Sequence, residues 1–240
     1  MAIQQHLSDA YECQWNWDRW NYYDGYYIPR VQVDGLYGLV GWDEANYDSL
    51  EEDMNERLLV PTDVTIELYG EVLRDQAYKV TVVLGVEDGG EAKTVRLHLF
   101  NVLWDYPAAT DGRYNNCVRE GWELGDFGLT PGGTVTVEHT FNFDNVSWNR
   151  QEDIRIGAYV HDPVTPPPYS AEVFQAEMVA WPLDPPGCKG DVNADEWVDI
   201  DDIFDVLAHW GEGAGQYDVN NDGMVDIDDV FDILYNWGPC

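Results

Sequence analysis

Between Pro61 and Leu183 apolar and polar positions alternate with the two-residue period of strands. TDVTIELYGEV, AYKVTVVLGVE, KTVRLHLFNVLW, GTVTVEHTFNF, DIRIGAYVHD and EVFQAEMVAW each alternate or run in β-branched and aromatic residues. Glu87-Asp88-Gly89-Gly90 and Thr130-Pro131-Gly132-Gly133 supply hairpin turn chemistry. Short strands separated by such signals predict an antiparallel β-sandwich over residues 61–183. The proline-rich VTPPPYS, Val164–Ser170, sits between strand-like stretches and reads as an ordered loop.

Elsewhere the period lengthens. Leu50, Met54 and Leu58 predict an amphipathic helix over Tyr47–Leu59, and IPRVQVDG, Ile28–Gly35, predicts a strand before it. Near the C-terminus Ile203, Val206, Leu207 and Trp210, then Val230, Ile233, Leu234 and Trp237, keep the i, i+3, i+4, i+7 spacing of one buried helical face. Pro182, Pro185, Pro186 and Gly187 mark a short stiff connection, with residues 184–187 as the linker proper.

Charge changes the range of partners. The 46 acidic residues against 12 basic ones give a formal net charge of −34. Such a surface repels phosphate backbones and anionic lipid, which argues against nucleic acid and membrane surfaces. No apolar run of bilayer length occurs. Met1-Ala-Ile-Gln-Gln-His lacks the basic and apolar regions of a signal peptide, so secretion requires a signal outside this chain.

The acids are not evenly spread. DVNADEWVDIDDIFDVLAHWG at 191–211 recurs as DVNNDGMVDIDDVFDILYNWG at 218–238, an ungapped offset of 27. Calcium takes six to eight oxygens, and a twelve-residue loop supplies them from positions 1, 3, 5, 7, 9 and 12, position 7 through its carbonyl. The first repeat offers Asp191, Asn193, Asp195, Trp197 (carbonyl), Asp199 and Asp202. The second offers Asp218, Asn220, Asp222, Met224 (carbonyl), Asp226 and Asp229, with Gly223 at the sharply turning position 6. Glu196 takes that place in the first loop, at a cost of roughly 1 kcal/mol if it adopts positive φ, so the first site is expected to bind more weakly.

Two loop–helix units, each with one helix after its loop and each ending in Trp-Gly, resemble the dockerin module over residues 188–240. The resemblance implies two calcium ions and docking onto a cohesin-like protein domain, often in polysaccharide breakdown. Family contacts fall at loop positions 10 and 11 and on the following helix. Here those positions hold Ile200-Asp201 and Ile227-Asp228 where cellulosomal members often carry hydroxyl residues, and the helix sides present Phe204, Asp205, His209 and Phe231, Asp232, Asn236. Near-identity of the repeats implies that a partner could bind either way round.

Residues 1–60, a helix, a strand opened by Ile28-Pro29, a turn and a second helix, more distantly resemble the C-terminal half of a thioredoxin-like domain. In that family a cis-proline opens such a strand. The first strand and the redox cysteines are missing, so no redox activity follows. A partial α/β thioredoxin-like segment, an antiparallel β-sandwich and a small α-helical dockerin-like module make the expected multi-domain architecture.

Cys188 and Cys240 bracket the repeats, where a pseudo-twofold module brings its ends together, and are expected to form a disulfide. Closing a loop of that length contributes on the order of 4 kcal/mol. The bridge and the calcium loops both point outside the cytoplasm. Cys13 and Cys117 either pair or remain thiols.

No catalytic residue and no organic cofactor is singled out, because Gly-x-Ser-x-Gly, His-Glu-x-x-His and phosphate-binding glycine loops are absent. His6, His98, His139, His161 and His209 are scattered without ligand spacing, and His139 reads as a solvent-face strand residue. Trp15, Trp17, Trp20, Tyr22, Tyr23, Tyr26 and Tyr27 either pack between segments, the favoured reading, or stack on sugar rings. The expected function is a calcium-dependent extracellular adaptor. Carbohydrate binding and hydrolysis of O-glycosyl bonds are the alternatives.

Overall fold

A computed structural model of the chain describes residues 13–23, 30–41, 44–74, 76–107, 113–163, 171–183, 189–193, 195, 197–213, 215–220 and 222–239. They divide into two compact units, one of residues up to Leu68 with Arg74–Trp181, the other of Tyr69–Leu73 with residues from Pro182 onward. The fold is mainly antiparallel β-sheet with a few helices.

Apart from Tyr69–Leu73 of β3, the first unit runs α1 (Gln14–Tyr22), β1 (Arg30–Val33), β2 (Tyr37–Val40), α2 (Glu44–Arg57), β3 (Val64–Arg74), β4 (Ala77–Val86), β5 (Lys93–Pro107), β6 (Arg113–Leu129), β7 (Thr134–Asn142), the one-turn α3 (Asn145–Trp148), β8 (Ile154–His161) and β9 (Val173–Ala180). Strands β3-β4-β7 form one sheet and β6-β5-β8-β9 another. All six stretches read as strands are strands. β6 is a seventh, and its polar composition and Gly121, Gly125 and Gly128 hid it.

Both expected turns form. Gly90 N–H donates to the Glu87 carbonyl and Gly133 N–H to the Thr130 carbonyl, each at 2.9 Å. They do not close hairpins: β4 and β5 lie in different sheets, as do β6 and β7, so each turn carries the chain from one sheet to the other.

The inner strand β5 is buried on both faces. Leu97 and Leu99 stand opposite Val160 and Ala158, all fully buried, while His98 and Phe100 stand opposite Tyr159 and Gly157 with their side chains on the other face. Trp15 from α1 covers that second face, packing with Phe100, Val102, Val118 and Tyr159. Gly121 permits this, since a Cβ there would lie 2.5 Å from the Trp15 ring. The described aromatics of this segment thus turn inward at Trp15, while Tyr26 and Tyr27 lie outside the described residues.

The helix expected over Tyr47–Leu59 is α2, but the face read as buried is not: Met54 is 49% and Leu58 80% exposed. Ion pairs hold its end instead, from Arg57 to Asp34 at 2.9 Å and to Glu172 at 2.8 Å. The strand expected over Ile28–Gly35 is β1, paired antiparallel with an unforeseen β2 through a turn in which Asp34 and Gly35 both take positive φ. Ile28, Pro29 and the loop Val164–Ser170 lie outside the described residues.

The second unit contains β10 (Trp197–Val198), α4 (Ile200–Ala208), α5 (Ile227–Tyr235) and β11 (Gly238–Pro239). Its halves mirror the repeat. Val198 of the first loop pairs with Gly238 after the second helix. Val225 of the second loop exchanges backbone hydrogen bonds with Gly211 at 2.8 Å and Glu212 at 2.9 Å, after the first helix. Each Trp-Gly thus ends one repeat where it meets the loop of the other, and Gly211 and Gly238 adopt positive φ there.

Val198, Val206, Val219, Val225 and Ile233 form this unit's core. Ile203 and Val230 pack partly against it, but Leu207, Trp210, Leu234 and Trp237 are about half exposed. The spacing that predicted one buried face therefore runs across two: a nine-residue helix turns only Asp202, Ile203 and Val206, or their counterparts, inward.

Cys188 and Cys240 lie outside the described residues. Cys13 and Cys117 are both thiols, and burial pushes the Cys13 thiol up in pKa.

Candidate metal centre

Each repeat begins with a carboxylate that gathers the loop around itself. Asp218 Oδ1 accepts the Asp222 amide at 3.1 Å, and its Oδ2 accepts that of Gly223 at 2.9 Å. Asn220 Oδ1 also accepts from Asp222, at 2.8 Å, and Asp222 Oδ1 accepts from Met224 at 2.9 Å. The first loop repeats this. Asp195 N–H donates to Asp191 at 3.1 Å and to Asn193 at 2.9 Å, and Trp197 N–H donates to Asp195 at 2.9 Å. Gly223 takes φ +97°, as expected at position 6. Glu196 lies outside the described residues.

The twelfth position closes each loop. Asp229 is fully buried and accepts from Asn220 N at 3.1 Å and Asp226 N at 2.7 Å. Asp202, equally buried, accepts from Val192 and Asn193 at 2.9 and 3.2 Å and from Asp199 at 2.8 Å. The same two aspartates form capping boxes with Asp199 and Asp226 at the N-termini of α4 and α5. One buried side chain therefore ties the start of the loop, its end and the first turn of the helix together, where the helix dipole favours negative charge.

These carboxylates fit a hard cation. Asp202, Asp218 and Asp229 have no cationic side-chain partner among the described residues, and burying such charge uncompensated is costly. A carboxylate offers about four lone-pair sites, so two or three amide bonds leave capacity for an ion. Oxygens sharing one calcium at 2.3–2.6 Å lie at most about 5 Å apart. Asp222, Asp226 and Asp228 each bring one oxygen within 4.8 Å of the others. Two of them are expected ligands; the third, Asp228, stands at loop position 11, an expected docking position. Asp218 and Asp229 are not in that group, and the first loop shows no equivalent group among the described residues.

The exposed sides of the helices also repeat. Ile200 and Ile227 are 48% and 49% exposed, and Phe204 and Phe231 both 58%. Of the polar positions there, Asp232 pairs with Lys189 at 2.9 Å, Asn236 donates to the Asp232 carbonyl, and His209 stacks on Tyr217 at 3.6 Å.

Sequence reasoning missed a polar cluster in the first unit. His98 and His161, far apart in sequence, meet with Nε2 atoms 3.0 Å apart because β5 and β8 pair in a register that sets them diagonally on one face. Burial first, then the Arg19 charge, depresses both, His98 well below its usual range and His161 to about 4. His139 is half-buried, not a solvent-face residue, and lies between Trp122 and Phe141 with centroids 5.1 and 5.0 Å away. His6 lies outside the described residues. Only the odd–even alternation of KTVRLHLF and IRIGAYVH, which places a histidine on the minor face of each, hinted at the pair.

No helix among the described residues is long and apolar enough to cross a membrane. No family model matches the chain, and no curated protein does. Among solved structures it is similar to HBP35 of Porphyromonas gingivalis, at 13% identity and a TM-score of 0.46 over 62% of this chain and 49% of that one. It is also similar to a domain of the outer membrane lipoprotein Omp28 from the same organism, at 18% identity and a TM-score of 0.36 over 52% and 93%. The sporulation control protein Spo0M from Bacillus subtilis gives 11% identity and a TM-score of 0.31 over 62% and 56%. The chain thus spans about half the length of HBP35.

Proposed function

We propose that the protein is a secreted, calcium-dependent adaptor, in which a dockerin-like C-terminal module attaches an antiparallel β-sandwich to a cohesin-like partner. The observation that carries this reading is the duplication itself. The hydrogen bonds of one acidic loop recur in the other, and each loop leads into a helix whose outer side keeps an isoleucine and a phenylalanine exposed.

Calcium bound at the two loops fixes the first turns of α4 and α5, and with them the exposed Ile200, Phe204, Ile227 and Phe231. The acids beside those side chains, Asp201, Asp205 and Asp228, favour a partner with an apolar patch rimmed by basic residues. Removing calcium leaves the buried carboxylates repelling one another and loosens the loops that set the helices.

The test is surface plasmon resonance of the full chain against a panel of cohesin domains, in calcium and in chelator. Binding in calcium, abolished by chelator and by the double substitution Phe204→Asp with Phe231→Asp, is the expected result. Binding indifferent to chelator, or unaffected by the double substitution, contradicts it.

A further inference from the structure

In the first unit, α1 and β6 border a cleft of about 560 Å³. Arg19 and His98 line it from within, and Asp18, Glu120, Trp122 and Glu123 complete its polar and aromatic wall.

The hydrogen bonds around His98 fix its tautomer. The Trp15 indole N–H donates to His98 Nδ1 at 3.3 Å, so in a neutral ring the proton sits on Nε2. That Nε2–H donates to His161 Nε2 at 3.0 Å. His161 then carries its own proton on Nδ1 and donates it to the Asp162 carbonyl at 2.7 Å. Both rings are neutral, and all four of their nitrogens are satisfied.

This assignment leaves Arg19 weakly partnered among the described residues. Its Nη1 lies 3.2 Å from His98 Nε2, but that nitrogen already bears a proton aimed at His161 and has no lone pair to offer. The guanidinium, only 4% exposed, is left with the Tyr159 hydroxyl at 3.5 Å and the Glu123 carboxylate at 3.7 Å, at and beyond hydrogen-bond reach. Its Nε has no partner among the described residues. The Tyr22 ring, 4.4 Å from the guanidinium carbon, holds the group in place. A buried guanidinium with unused donors on a cleft calls for a planar anion that can accept two of them.

The rest of the wall asks for the opposite charge. Asp18, Glu120 and Glu123 oppose the entry of a plain anion, and so does a chain of net charge −34. A plain cation leaves Arg19 as it is. A neutral sugar supplies Arg19 with no charge. A zwitterion carries no net charge and meets both demands. Trp122, 46% exposed and anchored by its indole N–H on Glu120 at 2.8 Å, adds an apolar ring at the same cleft.

We propose that this cleft binds a free α-amino acid, with its carboxylate on Arg19, its ammonium on Glu123 and Asp18, and an apolar side chain against Trp122. Calorimetry on the full chain separates the charge requirements with four probes: L-leucine, N-acetyl-L-leucine (anion only), L-leucinamide (cation only) and D-glucose (neither). Leucine is expected to bind saturably, and each blocked analogue at least about tenfold more weakly. Glu123→Gln, at an exposed position, is expected to weaken leucine about tenfold and leave N-acetyl-leucine unchanged, and Arg19→Gln to abolish leucine binding. The proposal is overturned by N-acetyl-leucine binding as tightly as leucine, by glucose binding alone, by unaltered leucine affinity in Glu123→Gln, or by no saturable heat up to about 10 mM leucine.

Discussion

Three residues carry more constraint than their neighbours. Asp229 closes a loop and caps a helix with one carboxylate, as Asp202 does in the other repeat. Gly121 matters for what it lacks: its missing Cβ is the space in which the Trp15 ring rests. Gly121→Ala is therefore expected to push Trp15 off the sheet and destabilise the fold by about 1–3 kcal/mol, the usual range for overpacking a core. Chemical denaturation monitored by tryptophan fluorescence measures this. A loss below about 0.5 kcal/mol, the level of an ordinary surface change, contradicts the packing described for α1.

At the scale of elements, α1 and the sheet beneath it are joined by groups that resist protonation. His98 and His161 sit on β5 and β8, and they face Arg19 and Tyr22 of α1, Arg96 of β5, Glu123 and Asp126 of β6, and Tyr159 of β8. Burial and the nearby arginines depress both histidines when folded, so between about pH 6.5 and pH 4 the unfolded chain binds more protons than the folded one. Stability is then fully present above the unfolded value and falls with pH across that window. His161 alone accounts for a loss on the order of 3 kcal/mol. Thermal unfolding of the wild type and of His161→Gln across pH 7 to 4 checks this: the variant is expected to show a shallower decline, and parallel curves contradict the assignment.

The same elements show what was legible in the sequence. Alternation or an unbroken run of β-branched and aromatic residues identified β3, β4, β5, β7, β8 and β9: β3 buries every second residue, whereas β5 and β8 are buried at consecutive positions. Neither pattern marked β6, whose buried Cys117 and Val118 are adjacent and whose glycines break the count. Gly-Gly turns were visible, but which sheet the next strand joins depends on pairing partners distant in sequence, as with Val82 opposite Val137. The loops' hydrogen-bonded conformation was legible because each is local, its carboxylates and the amides they accept from lying within twelve consecutive residues. The Arg19–His98–His161 cluster was not, because it is assembled from three elements by strand register. Helix periodicity marked apolar positions correctly and their burial wrongly, since Leu207 and Leu234 are apolar and half exposed.

For the whole molecule the dominant fact is a formal charge of −34, of which the two loops hold a dense share. A chain so acidic repels itself, and multivalent cations relieve that repulsion most where carboxylates are held closest. If the loops are calcium sites, ions at a hundredfold excess over the dissociation constant add roughly 2.7 kcal/mol of stability per site. A diffuse cation atmosphere gives no saturation and no stoichiometry. The deciding measurement is calorimetric titration of the full chain with calcium, against Asp202→Ala and Asp229→Ala, with circular dichroism in chelator alongside. Two saturable events, one lost in each variant, with helix lost in chelator, are expected. No binding heat, with helix content and melting temperature unchanged by chelator, would mean that the repeats are a structural cap and that calcium has no part in the protein's work.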